Sequence, residues 1–212
     1  MQAYMKSSMP YRGVQLPALR AICRTLFAAH PLDSQAAWRA AVHELWYGAS
    51  YREERYAAIE LLGSRRYAAY RTLDVLPLYA ELISSGAWWD LVDAISHLVG
   101  ELLRRYGQVV HPTLLAWSRG DDVWLRRSSI ICQVGLKEHT DQELLFACIA
   151  PSLGERDFFL RKGIGWALRD YARVAPEAVR SYVAEHTGEL SGLSRREALK
   201  HLGGLQSGAG SV

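Results

Sequence analysis

Several common signals are missing from this sequence. Among its 212 residues only Cys23, Cys132 and Cys148 carry a thiol. Their number is odd, they lie far apart, and no Cys-x-x-Cys or Cys/His spacing links them, which argues against disulfides or a zinc site and for reduced cysteines of a cytosolic protein. The stretch from Met1 to Pro10 lacks the charged and apolar regions of a signal peptide, and no apolar run approaches the ~20 residues that cross a bilayer. A cytoplasmic protein with no membrane contact is therefore expected. Charge of one sign is not in large excess either: Lys and Arg number 25 against 22 for Asp and Glu, a net charge of +3. Composition alone does not announce a nucleic-acid binder, so the placement of the charges must carry that argument. The seven histidines form no His-Glu-x-x-His pattern, and no serine sits in a nucleophile elbow.

Strand-like alternation is also missing. Apolar residues instead recur at helical spacing, as in Leu16, Leu19, Ile22, Cys23 and Leu26, and again in Trp38, Ala41, Val42 and Leu45. Short breaks such as His30 to Ser34, Ser84 to Gly86, Arg119 to Asp122 and Val174 to Pro176 separate the stripes, several with Ser or Asp as an N-cap. About ten or eleven helices follow, joined by short loops. The helices repeat. Tyr51, Trp88, Trp124 and Phe159 each open one, and a similar segment returns at Leu193, a period of roughly 35 residues. The expected fold is all-α, a curved α-solenoid of HEAT-like repeats in one domain over residues 1–202, with a flexible tail at 203–212 and corresponding helices lining a concave face.

Cations follow those openings. Arg126, Arg127, Arg161, Lys162, Arg195 and Arg196 fall early in successive helices, where a cation opposes the helix dipole by roughly 0.3 to 1 kcal/mol. The recurrence is explicable if helix N-termini and arginines hold phosphates together. The alternative is a solvated face in which these cations pair with Asp121, Asp122, Glu155 or Asp157. Trp89 and Asp93, four apart, share one helix face. An aromatic wall beside a carboxylate suits a cation or a transition state that develops positive charge. Asp93 also fits as the ion-pair partner of an arginine on a neighbouring repeat. Trp166 follows Gly163 and Gly165, two glycines that permit either a close-approaching ligand or tight helix packing.

Taken in order, Trp88-Trp89-Asp90-Leu91-Val92-Asp93, Asp122-Val123-Trp124-Leu125-Arg126-Arg127, Phe158-Phe159, Gly165-Trp166-Ala167-Leu168-Arg169 and Leu193-Ser194-Arg195-Arg196 resemble the AlkD-like family of bacterial DNA alkylation-repair glycosylases. Tyr4-Met5-Lys6 and Gly13 to Pro17 extend the resemblance over nearly the whole chain. It implies a monomeric DNA glycosylase of base excision repair that removes N3- and N7-alkylated purines from double-stranded DNA without flipping the base, with no metal or organic cofactor. The cationic base is already a good leaving group. On this resemblance Asp93 stabilises the sugar cation and positions water, Trp89 and Trp166 pack on the deoxyribose, and Arg127 holds the adjacent phosphate. Arg126, Arg161, Lys162, Arg169, Arg195, Arg196, Gln15 and Tyr4 are the further DNA-binding candidates. Leu16 and Gly135 depart from the family, standing where a threonine and a lysine are common. Two other readings are a helical-repeat protein that binds distorted DNA without cleaving it, and a protein-protein scaffold.

Overall fold

Breaks that offer a serine or an aspartate at the right place cap helices. The Ser34 hydroxyl accepts the Ala37 N–H at 3.1 Å, the Asp141 carboxylate the Leu144 N–H at 2.9 Å, and the Asp157 carboxylate the Leu160 N–H at 2.9 Å. The computed structural model describes residues 2–202, and the tail expected from Gly203 lies outside them. Among the described residues there are helices and no strand: α1 (Gln2–Met5), α2 (Leu16–Ala29), α3 (Gln35–Tyr47), α4 (Arg52–Gly63), α5 (Leu76–Gly86), α6 (Trp89–Tyr106), α7 (His111–Arg119), α8 (Val123–Ile131), α9 (Gln142–Ile149), α10 (Phe158–Tyr171), α11 (Pro176–Glu185) and α12 (Gly192–Ala198). None of them is long and apolar enough to cross a membrane. The chain gathers into two compact units that divide between Pro77 and Leu78.

In the N-terminal unit α4 packs against both α2 and α3. Trp38, Val42 and Trp46 of α3 are fully buried with Leu61 and Leu62 of α4, and the Trp38 indole N–H donates to the Leu61 carbonyl at 3.2 Å, so the buried nitrogen is satisfied. The apolar stripe of α2 is only partly buried: Leu19 and Cys23 are inside, whereas Leu16, Ile22 and Leu26 stay about half exposed. Glu53, buried in the first turn of α4, accepts the backbone N–H groups of Arg12, Gly13 and Val14 at 3.0, 2.8 and 3.2 Å. That carboxylate holds the turn into α2, where Gly13 takes the left-handed φ of +85°.

In the C-terminal unit α6 packs on α8, α8 on α10, and α10 on α12, with α7 against α8 and α9. The four successive helices begin at Trp89, Val123, Phe158 and Gly192, the spacing of about 35 residues that marks a helical repeat. The interior shared by α8, α10 and α12 includes Ile130, Ile131, Leu160, Ile164, Leu168 and Ala198. Ser96 and Ser128, both buried, join α6 to α8 through hydroxyls 2.9 Å apart. Gly165 sets how closely α10 meets α12, since a Cβ there would lie 2.6 Å from the Glu197 Cβ and 3.1 Å from the Ser194 carbonyl oxygen. Gly165 thus serves helix packing.

Candidate functional site

The aromatic residues that open the repeats pack on one another. Ring centroids lie 4.8 Å apart for Trp124 and Phe159, 5.3 Å for Trp88 and Phe159, and 6.2 Å for Trp88 and Trp124. This cluster gathers the starts of α6, α8 and α10, which places equivalent positions of the three helices side by side. Trp89 is the first residue of α6 and Asp93 the fifth, so both lie on one face. Arg127 and Lys162 occupy the same fifth place in α8 and α10.

That register brings Asp93 and Arg127 together. The Arg127 Nε and Nη2 donate to the two Asp93 oxygens at 2.8 Å each, and its Nη1 donates to the Phe159 carbonyl at 2.6 Å. Only 4% of the Arg127 side chain is exposed, against 16% for Asp93. Gly163 provides the space for the guanidinium, because a Cβ there would sit 3.2 Å from Nη1. Burial pushes the Asp93 carboxyl above its usual range, and Arg127 and then His97 pull it back without cancelling the rise. Each carboxylate oxygen keeps acceptor capacity beyond one guanidinium bond, so the exposed edge of Asp93 can still receive a water proton or face a positive charge.

His97, one turn beyond Asp93 on α6, packs edge-on to Trp166 of α10, with ring centroids 6.4 Å apart and planes at 81°. Trp166 and Trp89 are both partly buried. The sequence reading passed over His97, although the four-residue step that joins Trp89 to Asp93 reaches it when repeated. A histidine is common enough on helix surfaces that the step alone did not single it out.

The cationic candidates separate into two groups. Arg126 donates to the Pro151 carbonyl, the Ser152 hydroxyl and the Glu155 carboxylate at 2.9, 3.0 and 3.0 Å. Arg161 donates to the Glu155 carbonyl at 2.8 Å. Lys162 and Arg169 converge on Glu197 of α12, Lys162 at 2.8 Å, and these cations hold the Glu197 carboxyl below its usual range, the hydrogen bond from Lys162 most of all. Arg195 and Arg196 are exposed. Tyr4 on α1 and Gln15, the N-cap of α2, are exposed and belong to the N-terminal unit.

At the starts of α8 and α10, where helix N-termini and arginines are expected to hold phosphates together, the N-cap is a carboxylate. Their first N–H groups are already taken by Asp122, which accepts from Trp124 and Leu125 at 2.7 and 3.1 Å, and by Asp157. A carboxylate cap repels a phosphate at that place. Arg127, likewise, has its donors directed at Asp93 and Phe159. Of the two departures, Leu16 is the exposed first residue of α2, and Gly135 sits at φ +87° with its N–H donating to Asp170 at 2.7 Å. A lysine there would be strained.

A sequence model of the family described as DNA alkylation repair enzyme matches residues 1–202. A solved structure, described as a predicted DNA alkylation repair enzyme from Enterococcus faecalis, is similar with a TM-score of 0.85 and 30% sequence identity, over 96% of this chain and 93% of that one. No curated protein matches.

Proposed function

The chain belongs to the DNA alkylation repair enzyme family, and from that premise we propose that it is a monofunctional glycosylase hydrolysing the N-glycosidic bond of N3- and N7-alkylated purines in duplex DNA. The observation that carries this reading is the Asp93 carboxylate, held by two bonds from Arg127 yet still 16% exposed, on the helix face that also bears Trp89. Pure phosphate binding gains nothing from a carboxylate beside the backbone.

In the proposed reaction the glycosidic bond breaks with its electron pair passing to the alkylated purine, whose positive charge is thereby discharged. The sugar is left as an oxocarbenium-like cation. Asp93 faces that charge as a carboxylate and orients a water whose oxygen bonds to C1′. The proton that the water loses passes to Asp93 and then to solvent. Arg127 sets the plane of the carboxylate, while Trp89 and Trp166 offer apolar surface to the deoxyribose. His97 holds the Trp166 ring edge-on. Lys162, at the corresponding place of α10, is engaged by Glu197 at 2.8 Å, so the product is an abasic site and a lyase step is not proposed.

The test is release of 7-methylguanine from methylated duplex DNA. The wild-type chain is expected to release it well above the spontaneous rate. Asp93→Asn should abolish release while keeping DNA binding. Folded, DNA-binding wild-type protein with no release above background would sink the enzymatic reading.

A further inference from the structure

The N-terminal unit contains a hollow of about 430 Å³ between α2, α4 and the turn that follows α4. Arg20 and Arg24, one helical turn apart on α2, line one side, and the consecutive Arg65 and Arg66 line the other. Glu60 is the one carboxylate among the lining residues, and Arg20 already engages it at 2.8 Å. Arg24, Arg65 and Arg66 are exposed, and among the described residues no hydrogen bond or ion pair engages their side chains. Three uncompensated guanidinium groups around one hollow repel one another, and that repulsion is relieved when an anion sits between them. The floor does not oppose an anion. It includes Phe27 and Cys23, whose thiol is pushed up to about 11 by burial and then by Glu60, so it stays neutral.

We propose that this hollow binds backbone phosphodiesters of nucleic acid, giving the N-terminal unit a phosphate site of its own, built from Arg24, Arg65 and Arg66. Guanidinium groups are matched to phosphate oxygens in planarity and spacing. The open mouth and the size of the hollow suit a length of backbone better than a single enclosed ion. The inference rests on the DNA reading given above, and its test is independent of catalysis.

The experiment follows binding of the full chain to a fluorescent duplex as salt is varied, for the wild type and for the triple variant Arg24→Ala, Arg65→Ala, Arg66→Ala. Each lost phosphate contact lowers the slope of log affinity against log salt by about 0.9, so a drop of about 1 to 3 is expected, with an affinity loss of about tenfold or more at low salt. The corresponding triple lysine variant should keep most of the slope. Circular dichroism confirms that each variant is folded, and the single Arg65→Glu variant gives a second reading in the same direction. Inorganic phosphate and pyrophosphate are titrated in parallel. Unchanged duplex affinity and slope in the alanine variant overturn the proposal. So does micromolar phosphate or pyrophosphate binding that the variant loses while its duplex affinity is intact. Absence of 7-methylguanine release by the wild type would count against the glycosylase reading alone.

Discussion

Arg127 holds both oxygens of Asp93 and is almost fully enclosed itself, so removing its guanidinium leaves a carboxylate in a poorly solvated place without a counter-charge. Breaking such a pair costs about 3 to 5 kcal/mol. Arg127→Met is expected to lose stability of that order at neutral pH. The sign with pH follows from the raised Asp93 carboxyl. A carboxyl whose folded value exceeds its unfolded one weakens the fold as pH rises through that interval, and losing Arg127 lifts the folded value further. The deficit should therefore shrink as pH falls through the folded value and Asp93 is neutralised. Urea denaturation at neutral and mildly acidic pH checks this, and an equal deficit at both would assign the loss to packing. Activity that needs the carboxylate should show its acid limb at higher pH in any Arg127 variant that retains turnover.

His97 is also a residue-scale matter. Its contact with Trp166 is of the edge-to-face kind, for which pairs contribute about 0.5 to 1.5 kcal/mol. If that contact fixes the Trp166 ring during the proposed reaction, His97→Ala should lower the single-turnover release rate by about two- to tenfold. His97→Phe should restore most of it. Failure of phenylalanine to rescue would assign the effect to the imidazole nitrogens.

At the scale of elements, the two glycines of α10 do different things and should respond differently to one added methyl group. Alanine gains roughly 1 kcal/mol over glycine inside a helix. At Gly165 that gain is opposed by a Cβ 2.6 Å from the Glu197 Cβ, close to backbone that cannot yield without moving α12. Gly165→Ala is expected to destabilise by about 1 to 3 kcal/mol, read as a lower thermal midpoint. At Gly163 the nearest atom is the Arg127 Nη1 at 3.2 Å, the end of a side chain. Gly163→Ala should change the midpoint less but reduce release of alkylated base, because it displaces the guanidinium that orients Asp93. If both variants merely lose stability in parallel, Gly163 has no part in the site.

These glycines also mark how far the elements could be read in advance. Helix existence, the repeat period and caps such as Ser34 and Asp122 were legible, since apolar spacing and capping residues act within one or two turns of chain. The full α2 stripe was not. The pattern marks Leu16, Ile22 and Leu26 as apolar, yet burial requires a neighbour on that face, and only Leu19 and Cys23 have one. What the starts of α8 and α10 already hold was hidden for a similar reason. Asp122 stood in a break that offers a cap and Asp157 stood only as a partner for a cation, yet both carboxylates accept N–H groups of the helices they precede.

At the scale of the whole molecule, the three cysteines give a simple test of how closed the described fold is. Cys23, Cys132 and Cys148 are all buried and free. Burial pushes the Cys23 thiol up to about 11 and the Cys148 thiol up to about 12, and moves Cys132 upward as well. The thiolate is the form that alkylating reagents attack. The native chain should therefore resist iodoacetamide at neutral pH, with all three thiols labelled once it is unfolded in denaturant. Mass spectrometry counts the labels, and rapid native labelling at Cys23 would mean that α2 opens readily.

By itself the sequence determined an all-α chain, repeats of about 35 residues, a membership in the DNA alkylation repair enzyme family, and a single helix face carrying Trp89 and Asp93. Each of these depends on spacing along one helix or on recurrence along the chain. What the charges meet came from the packing of the helices: Arg127 turned to Asp93, Lys162 and Arg169 both turned to Glu197, Arg126 committed to Glu155, and, among the described residues, Arg24, Arg65 and Arg66 left without a partner. Such pairings link residues on separate helices, and their geometry depends on how those helices are turned and spaced, which no local pattern records.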